Sequence, residues 1–388
     1  MNGFTEKDKR PYCQIARILY LILTGSASKV SDTDYQALFQ IAAAFHLEFL
    51  FWRSFGIRFQ DPAEKTYSAD LQRKMLIQSM QLESARNEVK KLFLQHEIRF
   101  CFFKGADLAF RVYPAPDARV MGDIDVLVHP HDDEKAYNLL KQYGWLAEAD
   151  YKHSHHRPVM QKKNVMLEQH FAFPGTDASQ MQILWDDSRA FKPLQDSEFQ
   201  LCPELNCCML FNHAARHDWH NAHYLLADIF MLLYADSLYR LNMDLIQHFC
   251  QVCRWLNPVI FFEAYRDYLP ESVLPESEEY TDQEKNTFRY VMAAAPAIDD
   301  FDSAGKIYRT SVFSRDFWQK VKIALWEPQR FMERDADGKS SFRYWRQKNF
   351  ARLKAFFRIK FCRISDTEAG LFMKKNRDLL EAIRKKSG

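Results

Sequence analysis

The sequence predicts an α+β fold, with a small mixed-sheet core flanked by N-terminal and C-terminal helical regions. Two observations point there. Glycine is sparse, with 11 in 388 residues, and long stretches carry apolar residues at helical spacing. That texture breaks at residue 98, where short apolar runs alternate with turn residues until about residue 200. A hydrophobic content of 47% is enough for a core and excludes a globally disordered chain. The length exceeds the usual single domain. The expected units are a helical region over 1–97, an α/β core over 98–200, a helical domain over 201–335 and a basic, aromatic helical segment over 336–388.

In the first region, Ile15, Leu19, Ile22 and Leu23 recur on one helical face. A second helix should start at Ser31 or Asp32 and carry Tyr35, Leu38, Phe39 and Ala42. A third should run over about 69–95 after a loop at Asp61-Pro62. The run Ile-Arg-Phe-Cys-Phe-Phe over 98–103 reads as a buried strand, stopped by Lys104-Gly105. A helix follows over 106–113 and ends at Pro114 and Pro116. A second strand over 124–128 closes at His129-Pro130. Asp132 and Asp133 open the next helix, with Gly144 as its C-cap. A third strand is expected over 165–173 and a fourth over 183–185. Beyond Pro203 the apolar stripes predict helices near 203–218, 222–240, 243–256, 258–268, 281–296 and 314–332.

A net charge of +2 argues against a generic nucleic-acid binder. The balance is uneven, since residues 339–388 hold 15 Lys and Arg against 4 Asp and Glu, interleaved with Phe, Tyr and Trp. Such a segment suits weak contact with nucleic acid or an anionic surface. A packed amphipathic helix with a hydrated basic face is the favoured reading. The 8 cysteines lack the spacing of a disulfide framework, so a reducing, cytoplasmic setting is expected. Cys250-x-x-Cys253 has no second pair at zinc-ribbon spacing and reads as two helix-buried thiols. The apolar run at 18–23 is too short for a good signal peptide, and no segment has the length of a transmembrane helix.

The chemistry concentrates around Asp123-Ile124-Asp125. On a strand, side chains alternate, so Asp123 and Asp125 share a face while Ile124 and Val126 point the other way. Two close carboxylates repel unless a cation bridges them, and Mg²⁺ suits an oxygen-rich site that also holds phosphates. Glu168 interrupts an apolar strand and is the candidate third carboxylate of a two-metal clamp, with His170 facing the same side. Asp186 and Asp187 are rivals at a strand end. Lys104-Gly105-Ala106 lies between a strand and a helix, where a glycine lets the backbone approach a phosphate and Lys104 adds positive charge.

Residues 103–145 resemble the uncharacterised nucleotidyltransferase family of the DNA polymerase β-like superfamily. The likeness rests on Phe103-Lys104-Gly105-Ala106, Tyr113-Pro114, Arg119 and Gly122-Asp123-Ile124-Asp125-Val126-Leu127-Val128. Further on, Glu168-Gln169-His170 resembles the family's Glu-x-His, and His213, His217 and Trp219, with Asp228 after them, resemble its helical pattern. The resemblance implies transfer of a nucleoside monophosphate from an NTP, ATP by default, to an acceptor that is a small molecule, a protein or an RNA end. It implies two Mg²⁺ ions held by Asp123, Asp125 and Glu168, with Glu168 also taking the nucleophile's proton. Lys104 and Arg119 would neutralise phosphate charge, and His170, His213, His217 and Asp228 would line the cleft.

Two other readings stand beside this one. Ala106 occupies a place where many superfamily relatives have a phosphate-contacting serine, which motivates a catalytically inactive nucleotide- or partner-binding protein on the same scaffold. The second is a zinc hydrolase, because His213, His217 and His220 fall near one helical face and Asp228 follows them. A further cluster, His153, His155 and His156 beside Arg157, reads as structural or cleft-lining.

Overall fold

The computed structural model describes residues 11–25, 30–44, 47–58, 62–147, 155–217, 219, 222–235, 240–276, 278–294 and 368–387. His153, His220 and most of the basic 336–388 segment lie outside these residues, as does the helix expected near 314–332. The chain divides into two compact units, one of residues 1–293 with 379–388 and one of residues 294–378. The described part of the second is the beginning of a single helix. Among the described residues no helix is long and apolar enough to cross a membrane.

Four helices open the first unit: α1 (Pro11–Leu23), α2 (Asp32–Ala44), α3 (Glu48–Phe55) and α4 (Pro62–Gln95). Helix α2 starts where the sequence indicates, with the Ser31 hydroxyl accepting the Asp34 N–H. Helix α3 went unread because it is apolar nearly all round, burying Phe49, Leu50, Phe51, Trp52 and Phe55, so no stripe marks it. Helix α4 begins at Pro62, earlier than the expected residue 69, because proline is well placed in a first helical turn.

The core is a seven-stranded mixed sheet. Its elements in chain order are β1 (Phe100–Phe102), α5 (Gly105–Arg111), β2 (Asp123–Val128), α6 (Asp133–Gln142), β3 (Leu146–Ala147), β4 (Met160–Lys162), β5 (Val165–His170), α7 (Ala178–Asp186), β6 (Phe191–Gln195) and β7 (Glu198–Leu201). The strand order is β3-β4-β5-β2-β1-β7-β6. β2 runs parallel to β5 and antiparallel to β1, which is parallel to β7. Residues 183–185, expected as a strand, belong to α7 instead. Three apolar residues cannot distinguish the two periods. The Asp177 carboxylate and the Gln180 amide form a reciprocal capping box that starts a helix here.

Alternation sorts the two faces of the sheet. Phe100, Phe102, Ile124, Val126, Val128, Val165 and Leu167 share a buried cluster with Leu82, Val89, Leu92 and Phe93 of α4 and with Ala136, Leu139 and Leu140 of α6. The residues between them, Cys101, Asp123, Asp125, Leu127, Glu168 and His170, therefore lie on the opposite face. The chain then returns to helices: α8 (Pro203–Arg216), α9 (Ala222–Ala235), α10 (Met243–Cys253), α11 (Val259–Ala264), α12 (Asp282–Ala294) and α13 (Glu368–Ser387). Cys250 and Cys253 are both buried free thiols, as expected.

The apolar and acidic faces should respond independently to substitution. Leu140 is fully buried against the sheet, so Leu140→Ala should cost about 2–5 kcal/mol in denaturant unfolding. Divalent-metal affinity measured on the folded variant should be unchanged, and a parallel loss would show that the two faces are coupled.

Candidate active site

The acidic face is assembled by register. Asp125 is directly opposite Glu168 across the parallel β2–β5 pair, and Leu127 is opposite His170. Asp125, Glu168 and His170 each present a ligand atom, and these atoms all lie within 4.8 Å of one another. His170 Nε2 is 3.0 Å from Asp125 Oδ1 and 3.2 Å from Glu168 Oε2. Facing two carboxylates without a metal, this nitrogen must carry the proton. His170 Nδ1 is buried and has no hydrogen-bond partner among the described residues. Asp123, two residues before Asp125, is on the same face and only partly buried.

The fourth member comes from the β1–α5 turn. Lys104 has φ +50° and ψ −133°, in the left-handed half of backbone space that side chains other than glycine rarely occupy. From this sharp turn its ammonium donates to Asp125 Oδ1 at 2.9 Å. Burial opposes a charged lysine, but the Asp125 carboxylate outweighs it and raises the Lys104 pKa. Burial likewise opposes ionisation of Asp125, yet Lys104 and the hydrogen bond from His170 together hold its carboxyl well below the usual range. The His170 hydrogen bond also lowers Glu168, against burial and the Asp125 charge. Asp123 goes the other way. Burial, then repulsion from Asp125 and Glu168, pushes its carboxyl up to about 7.

Arg119, expected to contact phosphate, is engaged within the protein. Its Nε and Nη2 both donate to Asp228 at 2.8 Å, and Nη1 donates to the Val120 carbonyl. Asp228, on α9, is 1% exposed and also accepts from the Tyr113 hydroxyl at 2.7 Å. This buried bidentate pair explains Gly105. A Cβ there would lie 2.6 Å from Arg119 Nη1 and 3.0 Å from Met121 Cγ. The glycine makes room for a guanidinium, where a phosphate was expected. Ala106 is buried, and its carbonyl accepts from Arg86 Nε at 2.7 Å.

Histidines surround the cluster. Burial, then the Lys104 charge, then His217 lower the His213 pKa well below its ordinary value, and Asp125 and His170 act on it too. His213 is near the end of α8. The His213 and His217 rings are 4.6 Å apart. His155 and His156, read from sequence as structural or cleft-lining, have rings 5.7 Å and 5.2 Å from His170. Burial, then the neighbouring His170 and His156, push His155 down to about 4. The adjacent-histidine pattern before β5 was the available signal. Arg157 points elsewhere, to Asp133 and Glu134.

Among the described residues, which do not include His220, the ligands of the zinc reading form no three-membered group. Among the described residues Asp125, Glu168 and His170 form the one group of three metal-competent side chains, and Asp228 is engaged by Arg119 and Tyr113. Asp187 pairs with Arg189 at the end of α7. A family model described as an uncharacterised nucleotidyltransferase matches residues 31–263, more than half of the chain. No curated protein and no solved structure matches.

The raised Asp123 pKa makes a stability prediction. A carboxyl whose folded pKa lies above its unfolded value adds stability at low pH that is lost as pH rises from about 4 through about 7. Asp123→Asn mimics the protonated form at every pH. In chelator, the variant and the parent should melt together at pH 4. By pH 8 the variant should be the more stable, by on the order of 2–4 kcal/mol. Equal stability at pH 8 would mean that Asp123 ionises freely.

Proposed function

The chain belongs to the uncharacterised nucleotidyltransferase family, and from that premise we propose that it moves a nucleoside monophosphate from an NTP to a hydroxyl or phosphate acceptor. The observation that carries this reading is the in-register convergence of Asp125 and Glu168, with Asp123 on the same face. Mg²⁺ is the expected ion, because the donors are mainly carboxylate oxygens. His170 brings one nitrogen, and with Nδ1 lacking an acceptor it does not have the usual backing of a histidine ligand. His170 is therefore read as the N–H that spaces Asp125 and Glu168, with Asp123, Asp125 and Glu168 as the metal ligands. Bound Mg²⁺ would supply Lewis acidity at the α-phosphate and neutralise charge on the pyrophosphate.

The chain's own residues do the rest. The acceptor oxygen forms a bond to the α-phosphorus, the bond to the β-phosphate bridge breaks, and pyrophosphate leaves with that electron pair. Glu168 takes the acceptor's proton. Lys104, which donates to Asp125, carries a charge that would also suit the phosphate oxygens. Arg119 acts as a positioning residue, holding the Lys104–Gly105 turn against Asp228 and α9. His213, kept neutral beside the cleft, can offer a hydrogen bond without repelling the metal. ATP is the default donor, and the acceptor is a small molecule, a protein side chain or an RNA end. A second reading, nucleotide binding without turnover, is favoured by two features. Ala106 has no hydroxyl for a phosphate, and the Arg119 guanidinium is already engaged by Asp228 and the Val120 carbonyl.

The test is incubation with each labelled NTP, Mg²⁺ and a cell extract, scored for labelled product. Asp123→Asn and Asp125→Asn should each lower turnover by on the order of a hundredfold or more. A double-Asn variant that folds and keeps full turnover would sink the proposal. Mg²⁺-dependent nucleotide binding without product, abolished by the same substitutions, would select the second reading.

A further inference from the structure

The C-terminal ends of α8, α10 and the part of α13 in the first unit converge on a cavity of about 660 Å³. Arg216, Arg254 and Arg384 line it together with Trp255 and Gln251, and among the described residues no carboxylate side chain does. Most of its other polar groups are already engaged. The Asn212 amide bonds the Cys208 and Leu256 carbonyls and accepts the Leu256 N–H. The Ser387 hydroxyl donates to the Ile383 carbonyl and accepts from the Asn257 N–H. The Cys250 and Gln251 carbonyls accept from the Trp255 and Arg254 N–H groups.

What remains is a set of donors. None of the three guanidiniums has a hydrogen-bond or ion-pair partner among the described residues. Trp255 is 5% exposed, and its indole N–H is buried without an acceptor. The Arg216 guanidinium lies over Gly175, in space that a Cβ there would fill. Burial alone lowers its pKa, with no nearby acid to offset that.

Arginine at a helix C-terminus has an ordinary explanation, since it opposes the negative end of the helix dipole. That explanation does not call for three arginines at one cavity. It also leaves a net positive site, because each terminus carries roughly half a negative charge against one full positive charge per arginine. The carboxylate cluster is a separate place. Phe173 stands between them, its ring 5.6 Å from Trp255 and 5.8 Å from Phe103, which in turn contacts His170 at 4.9 Å. The cavity is within the size range of small-molecule sites, and guanidiniums suit phosphate oxygens.

We propose that this cavity is a second ligand site, which binds a small phosphorylated molecule through Arg216, Arg254 and Arg384. It does not depend on the nucleotidyl-transfer reading, because no metal and no carboxylate takes part. The probe is inorganic pyrophosphate, titrated calorimetrically into the full chain in EDTA at low salt. Binding should appear and weaken as salt rises. It should persist in Lys104→Ala, which removes the cation of the carboxylate cluster. Arg254→Ala combined with Arg384→Ala should weaken it at least tenfold, and the corresponding Lys pair should recover part of the loss. Both arginines are exposed, so an unchanged melting curve should accompany the loss. No binding at millimolar pyrophosphate, equal affinity in the double-Ala variant, or loss in Lys104→Ala would each overturn the site.

Discussion

Repulsion among three carboxylates on one face of two adjacent strands is the constraint around which this core is arranged. Asp123, Asp125 and Glu168 are brought together by the parallel register of β2 and β5, and ionising all three at once in a half-buried site is unfavourable. The protein answers in three ways. Lys104 places a full positive charge on Asp125, His170 donates one N–H between Asp125 and Glu168, and Asp123 keeps its proton to a higher pH. The strained backbone of Lys104 belongs to the same answer. A relaxed turn would not aim the side chain back at β2, and a strained non-glycine residue persists only where surrounding structure over-determines it.

That surrounding structure is the buried Arg119–Asp228–Tyr113 group. Removing one partner of such a pair leaves a buried charge uncompensated, at a cost of about 3–5 kcal/mol. The pair is therefore a firm tie between α9 and the segment leading into β2. Because Arg119 also packs on Gly105, the tie sets the position of the residue next to Lys104. The helices after residue 203 thus reach the site by two routes. α9 fixes the turn, and α8 carries His213, on which Lys104 and Asp125 act.

Much of this was legible in sequence, and the part that was not has physical reasons. The Asp-x-Asp and Glu-x-His spacings are period-2 signals, and strand geometry converts each directly into a shared face. Their mutual approach is not a local property. It depends on β5 lying beside β2 and on the exact pairing of Asp125 with Glu168, which no spacing in the chain encodes. The glycine of the Lys-Gly turn was legible as a close approach, but its partner, Arg119, came from a distance in sequence. Helix α7 was misread because three apolar residues carry no usable period, although Asp177 and Gln180 spelled its cap. Strands β6 and β7 were missed because β6 exposes most of its residues and contains Pro193, an edge-strand pattern with little alternation.

The metal-free arrangement bears on how metal would act. A divalent ion at the Asp125 oxygen would compete with Lys104 and would have to displace the ammonium as well as the Asp123 proton. Both displaced charges are positive, which limits the net gain from the ion alone. A nucleotide changes that balance, because its phosphates offer the freed ammonium a new anionic partner beside the cluster. Metal and nucleotide should therefore bind with mutual help, each lowering the cost of the other's entry. The same logic explains why a lysine is placed here. Its flexible stem lets one charge serve two sites in turn, whereas the Arg119 fork is locked to Asp228 by two parallel hydrogen bonds.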